Sequence, residues 1–262
     1  MTAAPPPVVV VSRDANVLAA AVAARLLTRL VDAQAARGSA SVVLTGGGVG
    51  IALIEQVKTS PARAAVDWQR VDLWWGDERF VSADDPDRND LQARRALLDA
   101  LDLDPARVHP MGASGGPDGD DADAAAHRYA GELATAARAD HTSSSQDVPT
   151  FDVVLLGMGA EGHTASIFPG SPAIHDERPV FAVHGCPKPP ATRISLGFGA
   201  INAAREIWVI AAGAPKSPVI AMALGGAGRV QVPVAGVQGR QQTLFLLDEP
   251  AAEHLPRNLR RL

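Results

Sequence analysis

Three observations predict an α/β fold built on a mostly parallel sheet covered by helices on both faces. Short apolar, β-branched runs recur: V-V-V-V at 8–11, S-V-V-L-T at 41–45, V-D-L-W-W at 71–75, F-D-V-V-L-L at 151–156 and E-I-W-V-I-A-A at 206–212. Such runs mark strands buried on both faces. Ala- and Leu-rich stretches of helical length separate several of them, and strands that alternate with helices favour parallel pairing. Glycines or charges follow directly on the strands that end near Thr45, Trp75, Leu156 and Ala212. In a parallel sheet those loops share one edge, the edge where ligands bind. The pattern is a modified Rossmann-like arrangement. At 262 residues and 47% hydrophobic composition the chain can bury one substantial core, and a single domain over 1–262 is expected.

In order along the chain, residues 8–11 form the first strand. Asp14 caps a helix running to about Ala36, with Val17, Leu18, Ala21, Val22, Ala24 and Leu26 near helical spacing, and Gly38 ends it. The strand at 41–45 leads into Gly46, Gly47 and Gly48, then a helix over about 49–57. Strand, glycine cluster and helix aim backbone N–H groups at an anion; a tight turn with no ligand reads the same way. After the strand at 71–75 come Gly76, Asp77, Glu78 and Arg79, either a solvated loop or the rim of a site. Asn89 or Asp90 caps a helix ending near Leu101. Polar, glycine-rich composition marks 112–123 and 140–149 as flexible loops around a helix over about 124–138, and the first seven residues as a flexible start. Residues 180–183 and 192–196 read as strands. Arg193 in the latter is a strand-face residue reaching solvent or an anion ligand. Lys216 opposes the dipole of a helix at 218–224, so it is a surface lysine or the partner of something negative. Residues 243–247 form the last strand, and the tail from Ala251 is short and polar.

The stretch 151–170, F-D-V-V-L-L-G-M-G-A-E-G-H-T-A-S-I-F-P-G, concentrates the chemistry. Glycines beyond a strand let backbone approach a ligand, and His163 at that rim suits proton transfer near neutral pH. Glu161, two residues earlier, or Asp77 could fix its tautomer. Gly157, Gly159 and Gly162 spell G-x-G-x-x-G, but a dinucleotide site needs a long helix after the third glycine. Pro169 and Pro172 leave room for only a turn or two, so no nucleotide cofactor is expected.

Composition narrows the function further. With 24 basic and 29 acidic residues the net charge is −5, which argues against nonspecific nucleic-acid binding. A single cysteine, Cys186, excludes an internal disulfide and a Cys-based zinc site. The other histidines show no metal-ligand spacing, and no metal is expected. The N-terminal sequence lacks signal-peptide character and no run reaches the ~20 apolar residues of a membrane span. A soluble, cytoplasmic protein, monomeric or weakly dimeric, with a small-molecule substrate is expected.

The motifs T-G-G-G at 45–48, W-W-G-D-E-R at 74–79, L-L-G-M-G-A-E-G-H-T-A-S-I-F-P at 155–169, R-I-S-L at 193–196 and G-A-P-K at 213–216 stand in the order found in a known group. The chain resembles the 6-phosphogluconolactonases within the glucosamine-6-phosphate isomerase superfamily, from about Val8 to Leu247. That resemblance implies hydrolysis of 6-phospho-D-glucono-1,5-lactone to 6-phosphogluconate, the second step of the oxidative pentose phosphate pathway, with no cofactor. It makes His163 the catalytic residue and Arg79, Lys216 and Arg193 phosphate or substrate contacts, with backbone N–H groups of Gly46, Gly47 and Gly48 beside them. Glu161 stands where the family often has Asp, and G-F-G-A follows R-I-S-L in place of a Thr- and Pro-bearing segment. The related deaminases typically carry Tyr where this chain has Arg79, and an Asn-Glu pair where it reads S-I-F-P. Both differences favour the lactonase over deamination. A non-catalytic sugar-phosphate sensor would usually add a DNA-binding module, and no spare basic segment is present.

Overall fold

The computed structural model describes residues 5–143, 145 and 147–259. Six strands form the main sheet: β1 (Val8–Ser12), β2 (Ala40–Leu44), β3 (Val71–Trp75), β5 (Val153–Gly157), β8 (Glu206–Ala211) and β9 (Gln242–Asp248). Their spatial order is β1-β9-β8-β5-β2-β3, and every pair is parallel. In β5, Val153 to Leu156 are all buried, as strands covered on both faces require.

The connecting helices explain the parallel pairing. α1 (Ala15–Arg37) starts where the Asp14 side chain accepts from the Val17 N–H and stops at Gly38, whose φ of 81° only glycine adopts without strain. Its buried stripe is Leu18, Ala19, Val22, Ala23, Leu26, Leu27, Leu30 and Ala33, whereas Val17, Ala21 and Ala24 of the anticipated stripe face solvent. A leucine buried in this way contributes roughly 1.5–3 kcal/mol, so the stripe rather than intrinsic propensity holds the helix. α1 packs on α2 (Gly47–Thr59) and against the sheet. α4 (Ala122–Ala139), capped by Asp121, brings the Tyr129 hydroxyl to accept from the Trp75 N–H at 3.0 Å. That bond satisfies a backbone donor at the end of the edge strand β3. One continuous core runs through these layers and includes Trp74, Trp75, Tyr129, Phe181 and Trp208.

Two features depart from the sequence reading. A second, three-stranded antiparallel sheet, ordered β4-β7-β6, is formed by β4 (Asp77–Arg79), β7 (Arg193–Leu196) and β6 (Val180–Val183). β6 and β7 lie within the long crossover that joins the parallel strands β5 and β8, and there they pair antiparallel with each other and, through β7, with β4. Gly76 joins the sheets: its N–H donates to Leu44 O and its carbonyl accepts from the Leu196 N–H. The second departure is α3 (Asn89–Ala96). It ends a turn early, and neither Asn89 nor Asp90 caps it. The buried Glu78 carboxylate, reaching from β4, accepts from the backbone N–H groups of Asn89 and Asp90 at 2.7 and 2.8 Å. A long-range cap leaves no local signature.

Within 112–123, Asp118 pairs with Arg128 at 2.7 Å and Asp120 accepts from Ser114 and Gly115. The sequence-based reading of flexible segments falls partly on residues 1–4, 144 and 146, which lie outside the described residues, as do 260–262 of the polar tail. Among the described residues no helix is long and apolar enough to cross a membrane.

Candidate active site

In the main sheet β5 lies between β2 and β8, and β3 flanks β2. The loops leaving their C-terminal ends are therefore neighbours. They enclose a cavity of about 370 Å³ whose wall includes Gly46, Gly47, Gly48, Asp77, Arg79, His163, Arg193 and Lys216. Segments up to 170 positions apart in sequence are thus brought together. Glu161 stands behind the wall, against His163.

The His163 loop is held by its own backbone. Gly162 N–H donates to Gly159 O at 3.0 Å, Ile167 N–H to Thr164 O at 2.9 Å, and Val234 N–H to Gly162 O at 3.0 Å. The imidazole stacks on Phe168 with centroids 4.5 Å apart and an interplanar angle of 28°. Its Nδ1 lies 2.6 Å from Glu161 Oε1. With the ring neutral, Nδ1–H donates to that carboxylate and Nε2 keeps its lone pair. Burial pushes the imidazole below its ordinary pKa, against the opposing pull of Glu161. Burial pushes the Glu161 carboxyl up, yet hydrogen bonds from Lys188, its own backbone and His163 hold it at about 2. The pair is therefore a neutral imidazole beside an ionised carboxylate at neutral pH.

Of the two candidate carboxylates, Glu161 is the one on the ring. Asp77, on β4, instead accepts from Ser166 Oγ at 2.7 Å and lies 3.8 Å from an Arg193 guanidinium nitrogen. Arg193 is only 6% exposed. Its guanidinium donates to the carbonyls of Lys188, Pro189 and Pro190 at 3.1–3.3 Å, so its bonds organise a loop at the cavity wall.

Two cations face the cavity with less protein engagement. Arg79 donates from Nη1 to Asp87 O, while its Nε is buried with no partner among the described residues. Lys216 closes a turn fixed by Asp248, which accepts from the N–H groups of Gly213 and Ala251. No carboxylate lies within ion-pair distance of Lys216 among the described residues, and burial pushes its pKa down. A half-buried cation with no carboxylate in ion-pair reach is a ready anion ligand. Opposite them α2 begins at Gly47, earlier than the sequence suggested, and Gly46 caps it without a side-chain hydrogen bond. Its first N–H groups remain for a ligand. A Cβ at Gly46 would sit 1.8 Å from Asn89 Oδ1, so this close approach demands glycine. Among the described residues no group of three metal-ligating side chains is present.

Sequence reasoning missed Lys188, whose Nζ lies 2.7 Å from Glu161 Oε1. It also missed Asn89 as a wall residue. The lysine's only mark in the sequence is its place in P-K-P-P at 187–190.

The family model described as glucosamine-6-phosphate isomerases/6-phosphogluconolactonase matches residues 13–246. A 6-phosphogluconolactonase of Streptomyces coelicolor is 57% identical over 97% of this chain and 96% of its own length. One from Mycobacterium tuberculosis is 48% identical over 93% of this chain and 96% of its own. The solved 6-phosphogluconolactonase of Trypanosoma brucei superposes with a TM-score of 0.81 at 30% identity, covering 97% of this chain and all of the other. By extent of match and by fold, this chain belongs to the glucosamine-6-phosphate isomerase/6-phosphogluconolactonase family.

Proposed function

We propose that the protein hydrolyses 6-phospho-D-glucono-1,5-lactone to 6-phosphogluconate, the second step of the oxidative pentose phosphate pathway. The observation that carries the reading is a neutral imidazole, braced by a carboxylate, in one cavity with Arg79 and Lys216. His163 Nε2 takes a proton from water as the oxygen attacks the lactone carbonyl. The tetrahedral intermediate collapses with cleavage of the bond to the ring oxygen, and the imidazolium returns its proton there. Glu161 stabilises the imidazolium while it exists. Backbone N–H groups of the glycine loops suit the developing oxyanion.

The phosphate is remote from the reacting carbon, so its contacts act by orientation. Arg79 and Lys216 supply the charge, with the start of α2 beside them. Their contacts convert binding into alignment of water, carbonyl and imidazole.

The test uses freshly generated 6-phosphogluconolactone in a coupled or pH-stat assay. His163→Ala is expected to lower kcat by roughly 10²–10⁴-fold, the span of a positioned general base, with KM little changed. Arg79→Ala is expected to raise KM about 10-fold or more, the loss of a charged hydrogen bond to phosphate. A His163→Ala enzyme with near-normal kcat would refute the assignment. Ammonia release from glucosamine 6-phosphate would instead favour the deaminase branch of the family.

A further inference from the structure

Glu161 and His163 do not stand alone. Lys188 Nζ contacts both carboxylate oxygens of Glu161, at 2.7 and 3.0 Å, and the nearer one is the oxygen that meets His163 Nδ1. Lys188 comes from the connection between β6 and β7, where Arg193 holds the carbonyls of residues 188, 189 and 190. Arg193 also faces Asp77, which accepts from Ser166. The contacts thus close a circuit: from His163 through Glu161, Lys188, Arg193 and Asp77 to Ser166, three residues beyond the histidine.

Resting on the reading that His163 is the base, we infer that Lys188 is a positioning residue which locks the Glu161 carboxylate onto Nδ1, so that the imidazole keeps Nε2 toward the cavity. Glu161 is about one-third exposed, and without a second tie its carboxylate has solvent as an alternative partner. Lys188 is half exposed and is not among the residues of the cavity wall. Its ammonium therefore acts through Glu161 and not on substrate. A pair this exposed adds only about 0–1 kcal/mol to stability, so its value lies in geometry.

The charged groups around the ring come from every neighbouring element. Glu161 lies on its own loop, Lys188 on the β6–β7 connection, Asp77 and Arg79 on β4, Arg193 on β7, and Lys216 ahead of the helix Ser217–Leu224. Glu161 and Asp77 raise the imidazole, while burial and Lys188 lower it. Removing the ammonium must therefore raise it, and removing the carboxylate charge must lower it.

The test compares Lys188→Met, Lys188→Arg and Glu161→Gln by kinetics across pH and by ¹⁵N NMR of the His163 ring. Lys188→Met is expected to lower kcat about 10-fold with KM changed less than about 2-fold, a fraction of what a general base contributes. Its acid limb moves to higher pH and its Nδ1–H tautomer loses population; Lys188→Arg restores all three. Glu161→Gln moves the limb to lower pH. Lys188→Met with an unmoved limb and a wild-type tautomer overturns the inference, even if kcat falls. So does a rise in KM at constant kcat, which would make Lys188 a substrate contact. If His163→Ala keeps its kcat, the proposed function fails instead, and the NMR tautomer still decides whether Lys188 positions the ring.

Discussion

At Gly159 a Cβ would lie 2.3 Å from His163 Nδ1 and 2.5 Å from Glu161 Oε2. The residue is glycine because the His163 ring and the Glu161 carboxylate pack directly on its α-carbon. Gly159→Ala must push one of them aside, and a misplacement of about 1 Å can cost roughly 10²-fold in rate. We expect kcat to fall by about that factor while the melting temperature drops only as far as local overpacking of about 1–3 kcal/mol dictates; paired kinetics and thermal melts check both. A wild-type kcat would mean that the pair relaxes freely. The same scale shows what the sequence could reveal. His163 could be singled out because its loop follows a strand that the apolar pattern marks, whereas Arg79 and Lys216 were left open by pattern alone and were picked out by the family resemblance. Glu161 and Asp77 were equally plausible partners for the ring, since spacing says nothing about which carboxylate turns inward. Lys188 was invisible, because its contact spans 27 positions and two different loops.

At the scale of elements, Glu78 ties β4 to α3. It is fully buried, accepts from the N–H groups of Arg79, Asn89 and Asp90, and lies 3.7 Å from Arg88. Burial pushes its carboxyl up to about 7, against the pull of Arg88 and three backbone donors. The folded state therefore holds this proton more tightly than the unfolded chain does. Its contribution to stability is greatest below the ordinary carboxyl value and declines as pH rises through the window from 4.5 to about 7. Glu78→Gln is expected to flatten the dependence of melting temperature on pH across that window, relative to wild type. It should also loosen Arg79, which shares that backbone, and so raise KM for a phosphorylated substrate. Parallel pH-dependent melts that superimpose for the two proteins would dismiss the role. The parallel strands and their helices could be read from the sequence, since period and burial are local. The antiparallel β4-β7-β6 sheet could not, because short strands of three or four residues carry too little pattern to declare their partners.

At the scale of the whole molecule, the parallel sheet separates chemistry from anchorage. The cavity opens at the C-terminal ends of the strands, and a buried ionic cluster sits at the other edge. Asp152, just before β5 and 4% exposed in its side chain, pairs with Arg37 at the end of α1 and with Arg205 ahead of β8, and it accepts from the Ser41 N–H at 3.0 Å. One carboxylate thus ties the starts of β2, β5 and β8, whose far ends carry the glycine loop, His163 and Lys216. The sequence showed Asp152 only as a polar interruption in an apolar run. Burial pushes its carboxyl up, against Ser41 and the arginines, which leaves a costly group that only its partners retain. Removing the charge strands two arginines near the core, and breaking a buried pair costs about 3–5 kcal/mol. Because Arg37 and Arg205 are about a quarter exposed, Asp152→Asn should lose somewhat less, about 2–4 kcal/mol in denaturant titration. The strand ends that shape the cavity are a full strand length away, so kcat per folded molecule should remain within about 2-fold of wild type. If instead kcat falls in proportion to stability, the two edges are coupled through the strands, and the sheet transmits strain from anchor to site.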